Sequence, residues 1–243
     1  MEATAGPIAD GVVVITGATG KLGPAVAERF AADGARCALL ARDEESCIGV
    51  AMGLPGGIRR HRGVPVDLSD PVSAAAAADT VREKLGPAQV LLHLVGDYAG
   101  GMPFDEFPID EWHRLIDVNL ISTIHATRAF LPEIRAAQHG RIITMSTPLA
   151  TAPPTNVAAY AATKAAVESL TMSIAKELAG TTATANVVLV RTIGDEKPTH
   201  TRPAEIAAAM AWLCTPEAGA VNGQRIPLVG RAEAPKPSKG SEA

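Results

Sequence analysis

The stretch Gly11-Val12-Val13-Val14-Ile15-Thr16-Gly17-Ala18-Thr19-Gly20-Lys21-Leu22-Gly23 decides the fold. Its first half is short, β-branched and apolar without interruption, the pattern of a strand buried on both faces of a parallel sheet. Glycines at 17, 20 and 23 follow at once, and residues 22–33 then carry helix formers at helical apolar spacing, with Gly34 placed as a C-terminal cap. A strand, a glycine turn and a helix in that order form a phosphate-binding corner. Gly17 makes the tight turn, Gly20 lets a phosphate approach the backbone, and Gly23 lets helix and strand pack closely. The free N–H groups and positive dipole at the start of the helix, together with Thr19, Lys21 and Leu22 in the turn, suit a pyrophosphate, so a dinucleotide is the expected ligand.

Outward from this corner the alternation continues. Strands are expected at 37–41, 64–66, 90–95, 141–145 and 185–190, and helices at 72–85, about 110–135, about 157–178 and 203–213. This order predicts a single α/β domain over residues 1–231, a Rossmann-type doubly wound parallel sheet with right-handed crossovers. Residues 232–243, rich in Pro, Lys, Ser and Gly, read as a tail without the apolar content to order itself. The 243 residues, 47% hydrophobic, suffice for one large core. Lys and Arg number 22 against 26 Asp and Glu, a formal charge of -4, and aromatics make up only 3%, so a nucleic-acid surface is not expected. No apolar run reaches the ~18 residues of a membrane span, and the opening MEATAGPIAD has no basic and apolar leader. Cys37, Cys47 and Cys214 are odd in number and form no CxxC pair. They fit neither a disulfide framework nor a zinc site, so no metal and a cytoplasmic location are expected.

The choice of dinucleotide falls at the end of the second strand, Leu39-Leu40-Ala41-Arg42. A site for NAD places Asp or Glu there to bind the ribose hydroxyls, whereas a 2′-phosphate needs a cation. Ala41 stands where the carboxylate is expected and Arg42 offers a planar fork, with Lys21 as a second charge, so NADP(H) is favoured over NAD(H). Asp43 leaves an alternative open, since it is placed to pair with Arg42 or to bind a ribose hydroxyl itself.

Tyr160-Ala161-Ala162-Thr163-Lys164 lies inside the expected helix 157–178, where i, i+4 spacing puts phenol and ammonium on one face. A free phenol with a pKa of about 10 exchanges protons poorly near neutrality, and a fixed neighbouring cation moves it toward the working range.

Taken together, TGATGKLG, Asp67 in VDLS, Asn119 in DVNL, GRIITMST, YAATK and NGQRIPLVG resemble the short-chain dehydrogenase/reductase family over roughly residues 11–230. The resemblance implies an NADP(H)-dependent oxidoreductase moving a hydride between nicotinamide and a carbonyl or alcohol carbon of a small organic substrate. By it, Tyr160 is the general acid/base and Lys164 binds the nicotinamide ribose and lowers the phenol pKa. A hydroxyl at Thr147 orients the carbonyl, Asn119 holds a water in the proton relay, and Asp67, with Leu68 beside it, meets the adenine. It also implies a dimer or tetramer paired through the helices carrying Asn119 and Tyr160.

The sequence departs from that pattern in three places. The serine expected thirteen residues before Tyr160 is Thr147, which keeps the hydroxyl and adds a methyl that narrows the pocket. Ser146 should point to the opposite face of its strand, which makes it, like Pro148, a weaker substrate contact. The Asn-Asn-Ala-Gly expected after the fourth strand reads His93-Leu94-Val95-Gly96, so only Gly96 is retained for the cofactor and His93 is read as structural; Tyr98, just beyond, is a candidate pocket residue. Finally, only residues 192–202 separate the strand ending at Val190 from the next helix. The helices that cover the substrate are therefore expected to be missing, leaving the site open or closed by a neighbouring subunit, with Thr192 as a substitute carboxamide contact and Arg191 as a surface ion-pair residue. Two other readings stand beside carbonyl reduction: imine or enone reduction or a non-redox step in the same pocket, and a cofactor-binding subunit that no longer catalyses. The aromatics Phe104, Phe107, Trp112 and Trp212 read as packing or interface residues.

Overall fold

The computed structural model describes residues 8–228, 230 and 231. The expected tail at 232–243 lies outside the described residues. Seven strands, β1 (Val12–Thr16), β2 (Arg36–Ala41), β3 (Arg62–Pro65), β4 (Ala88–His93), β5 (Arg141–Ser146), β6 (Thr184–Val190) and β7 (Arg225–Leu228), form one sheet in the order β3-β2-β1-β4-β5-β6-β7. Every neighbouring pair runs parallel. This is the doubly wound α/β sheet that the alternation implied, and its strand order reverses between β1 and β4.

Both faces of the sheet are covered, which is why the central strands read as unbroken apolar runs. Val13 and Ile15 of β1 pack on one face with Val26 and Phe30 of α1 (Gly23–Ala32) and Ile206 and Met210 of α7 (Pro203–Leu213). Val12 and Val14 face the other side with Val81 of α3 (Pro71–Leu85), Phe130 of α5 (Ser122–Ala136) and Ile174 of α6 (Ala158–Glu177). Each such side chain contributes about 1.5–3 kcal/mol when withdrawn from water.

Four elements differ from the sequence expectations, the first being β7, since no strand was expected beyond the helix 203–213. A helix, α2 (Glu44–Gly53), was not foreseen; Asp43 caps it by accepting a hydrogen bond from the Ser46 N–H at 2.7 Å. The fourth strand ends at His93 rather than at Val95, so 94–96 already belong to the loop over the site. The expected helix 110–135 is composite: α4 (Ile109–Leu115), a π-helical segment (Ile116–Ile121), then α5. The widened turn carries Asn119 and is of the kind that concentrates at functional sites. Between β6 and α7 there is no helix, only a short loop closed by a bridge between Ile193 and Thr201 and tied to β7 by the Thr201 hydroxyl donating to the Leu228 carbonyl.

Cys37, Cys47 and Cys214 are free and buried, and burial pushes the Cys37 and Cys214 thiols up to about 12. Among the described residues no helix is long and apolar enough to cross a membrane, and no cluster of His, Cys, Asp and Glu suits a metal ion.

Candidate active site

Beyond the carboxyl ends of the strands, where the strand order reverses, a cleft of about 950 Å³ opens. Its floor is the glycine turn. Gly17 has φ +67°, and a Cβ on Gly23 would lie 2.1 Å from the Ala18 carbonyl oxygen, so α1 sits on the turn at a distance only glycine allows. A Cβ on Gly20 would meet nothing closer than the Gly17 carbonyl at 3.2 Å. Thr19, Lys21 and Leu22 complete this part of the wall, and Leu68 and Asp67 stand across from them.

Arg42 is exposed on the cleft wall at the end of β2. Its neighbour Asp43 also lines the cleft and caps α2 through one carboxylate oxygen. Asp67 accepts from both the N–H and the hydroxyl of Ser69, at 2.9 and 2.7 Å; these bonds, and then the charge of Arg42, hold its carboxyl below the usual range. Lys21 lines the cleft with its ammonium 3.7 Å from Glu196 in the loop after β6, and Glu196 is bonded to His200 at 3.0 Å.

The residues expected to handle the proton come together from separate elements. Tyr160 and Lys164 stand one turn apart on α6, and Lys164 is only 6% exposed. Its ammonium donates to the Met145 carbonyl at 3.3 Å. Asn119 is fully buried; its amide oxygen accepts from Asp97 N–H at 2.9 Å, and its amide nitrogen donates to the Asp97 carbonyl and to the Thr163 hydroxyl, both at 3.1 Å. Gly96 leaves room for both side chains: a Cβ there would lie 2.6 Å from the Lys164 nitrogen and 3.0 Å from the Asn119 oxygen. Tyr98 covers the phenol, its ring edge-on to that of Tyr160 with centroids 4.9 Å apart.

Burial raises the Tyr160 phenol above its usual range; the Thr147 hydroxyl beside it acts the other way, and Tyr98 and Asp97 add to the rise. Lys164 is itself pushed down by burial to about 8, with Asp97 partly opposing. A buried ammonium with one long hydrogen bond weakens the fold. Lys164→Met should therefore raise Tm by about 2–8 °C at neutral pH. Since the folded value lies below the unfolded 10.5, the unfolded chain binds more protons between the two; the gain is full below about pH 8 and shrinks as pH rises through that window. Calorimetric scans of both proteins at two pH values check this, and an unchanged or lower Tm for the variant would count against it.

Neighbouring residues fall on opposite faces as β5 ends. Ser146 turns its hydroxyl to Glu168 at 2.7 Å, away from the phenol, although Ser146 still borders the cleft. Pro148 and Thr192 lie outside the cleft lining, Thr192 on the surface. His93 is structural: it joins the Thr16 hydroxyl at 2.9 Å to the Ser122 hydroxyl at 3.3 Å, and burial pushes it down to about 3, so it stays neutral. Phe104, Phe107 and Trp112 pack edge to face, as packing residues do. Three charged residues went unnoticed in the sequence. Asp97 and Arg114 form an ion pair at the mouth, and the buried Glu168 takes hydrogen bonds from Ser146 and Arg225. No local motif marks any of them.

The family model for short chain dehydrogenases matches residues 11–196. The chain is 33% identical to the meso-2,3-butanediol dehydrogenase of Serratia marcescens, covering 92% of this chain and 94% of that protein. Among solved structures it is similar to a short-chain dehydrogenase/reductase of Brucella melitensis described as a glucose/ribitol dehydrogenase, with TM-score 0.84, 30% identity, and 94% and 100% of the two chains covered. It is likewise similar to a short chain dehydrogenase from Burkholderia cenocepacia in complex with NADP, with TM-score 0.84, 27% identity and the same coverage. The protein belongs to the short-chain dehydrogenase/reductase family. It is thus an oxidoreductase by family, built as one seven-stranded parallel α/β sheet.

Proposed function

We propose that this protein is an NADP(H)-dependent oxidoreductase that interconverts a carbonyl and an alcohol on a small organic substrate, running in the reductive direction. The observation that carries the reading is the convergence of Asn119, Thr147, Tyr160 and Lys164 at the reversal point of the sheet, beside a cleft floored by the glycine turn. The cleft fits a dinucleotide in size, in the glycine turn that floors it, and in the cation at Arg42. A bound nicotinamide supplies the hydride, for which no side chain of the chain is suited.

The chain's own residues handle the proton. Tyr160 keeps its proton at neutral pH, so at the phenol oxygen it is placed to act as the acid that protonates a developing alkoxide. Thr147, beside that oxygen, is placed to bind the same carbonyl. Lys164 would hold the nicotinamide ribose through its ammonium, and Asn119, locked by three hydrogen bonds, fixes the backbone at Asp97. The loop after β6 is short and tied to β7, so little protein covers this end, and a substrate enters from an open side.

The relatives' names include users of both NADP and NAD, so the preference for NADP(H) rests on Arg42 alone. Calorimetric titration should show NADPH binding more tightly than NADH. Arg42→Ala should weaken NADPH by about 10- to 100-fold, as loss of a charge-assisted phosphate contact does, and NADH hardly at all. Equal losses for both would refute the 2′-phosphate assignment, and binding of neither would favour a chain that has lost its cofactor.

A further inference from the structure

Immediately after Gly96 the chain carries a carboxylate, Asp97, on the loop that lies across the proton-transfer group. Its backbone clasps the Asn119 amide from both ends, N–H to oxygen at 2.9 Å and carbonyl from nitrogen at 3.1 Å. Its side chain is separately anchored. One oxygen accepts from the Tyr98 N–H at 2.8 Å and the other from Arg114 on α4 at 2.6 Å, and the Arg114 guanidinium is held in turn by both oxygens of Glu111. One cation thus serves two carboxylates, and this cluster keeps a net negative charge beside Tyr160 and Lys164.

We propose that Asp97 is a positioning residue whose anchored carboxylate sets the pH range over which the Tyr160–Lys164 pair exchanges protons, with Arg114 as its counterweight. This rests on the reading of Tyr160 as the acid of the reaction. The physical reason is proximity: the Asp97 carboxylate lines the same cleft as the half-buried Tyr160 and the buried Lys164, and from its half-exposed place at the rim it acts on them partly through protein and partly through screened solvent. The carboxylate favours the protonated form of both groups, opposing the loss of charge that burial imposes on Lys164 and adding to the rise on Tyr160. The other groups facing the pair do not replace it. His93 on β4 is neutral, Glu168 on the next turn of α6 is matched by Arg225 of β7, and Asp117 on the π-helical segment and Arg191 after β6 lie on the cleft lining with opposite signs.

The protein has two tyrosines, Tyr98 and Tyr160, so Tyr98→Phe leaves one phenol to titrate and keeps the covering ring. In that background, tyrosinate absorbance against pH should show Asp97→Asn moving the Tyr160 midpoint down, with roughly threefold more tyrosinate at a fixed pH below it. Arg114→Gln should move the midpoint up. Asp97→Glu should restore the parent curve, and high salt should shrink both displacements. The pH limbs of kcat/KM for a reduced carbonyl should follow in the same directions. A merely structural Asp97 would leave the midpoint in place, or move it the same way in both variants, and either result overturns the inference. Because the titration needs neither substrate nor cofactor, opposite displacements in a protein that binds no nicotinamide cofactor would uphold the charge coupling while removing the proposed reaction.

Discussion

Tyr160→Phe should lower kcat by about 10²–10⁴-fold while leaving the dissociation constant for NADPH nearly unchanged, the cost of losing a general acid without losing a binding surface. The substitution removes one oxygen. The ring that stacks edge-on against Tyr98 remains, α6 keeps its register, and Lys164 stays against the Met145 carbonyl. Because the phenol is held above its usual range by burial, the protonated form dominates at neutral pH, which suits donation to an alkoxide better than removal of an alcohol proton. Reduction should therefore persist toward neutral pH, whereas oxidation should improve as pH rises. Steady-state kinetics with a panel of small carbonyl compounds, beside calorimetry with NADPH, make the measurement. Turnover at the parent rate in Tyr160→Phe would sink the assignment of the proton donor.

Gly96→Ala should cost turnover about 10²-fold and weaken nicotinamide cofactor binding with it. The added methyl would stand 2.6 Å from the Lys164 nitrogen and 3.0 Å from the Asn119 oxygen, closer than packed atoms tolerate, so both side chains must shift or the loop must lift. Either movement displaces the ammonium from the place where it would hold a ribose and breaks the Asn119 clasp on Asp97. Gly49→Ala on α2 is the control: nothing lies within 4 Å of its Cβ, and alanine there should be neutral or should stabilise the helix by about 0.5–1 kcal/mol. Comparable losses in both variants would mean that the Gly96 effect is not one of local contact.

The corner at residues 11–23 was legible because its signals are local. A β-branched run, three glycines and a helical spacing each report backbone geometry within a few residues, and the structure has strand, turn and helix where they fall. The same holds for α3 and for α7, whose starts are marked by proline. Helix α2 escaped notice because Ile48 and Met52 point outward and its start is marked only by the Asp43 cap. The short strand β7 alternates half-buried and exposed residues, and it becomes a strand by pairing with β6. The widening of the helix at Asn119 leaves no trace in residue spacing.

For the site the division is sharper. The sequence by itself determined the phosphate-binding turn, the pairing of Tyr160 with Lys164 on one helical face and the hydroxyl at Thr147, since each is fixed by spacing along one element or by resemblance to a family pattern. The tertiary structure alone decided that Lys164 donates to the Met145 carbonyl, that Lys21 lies near Glu196, and that Asp97 is held by Arg114 at the rim of the site. These depend on side chains 17 or more residues apart meeting in a particular dielectric, and a charge read along the chain carries its sign but neither its distance to a partner nor its degree of burial.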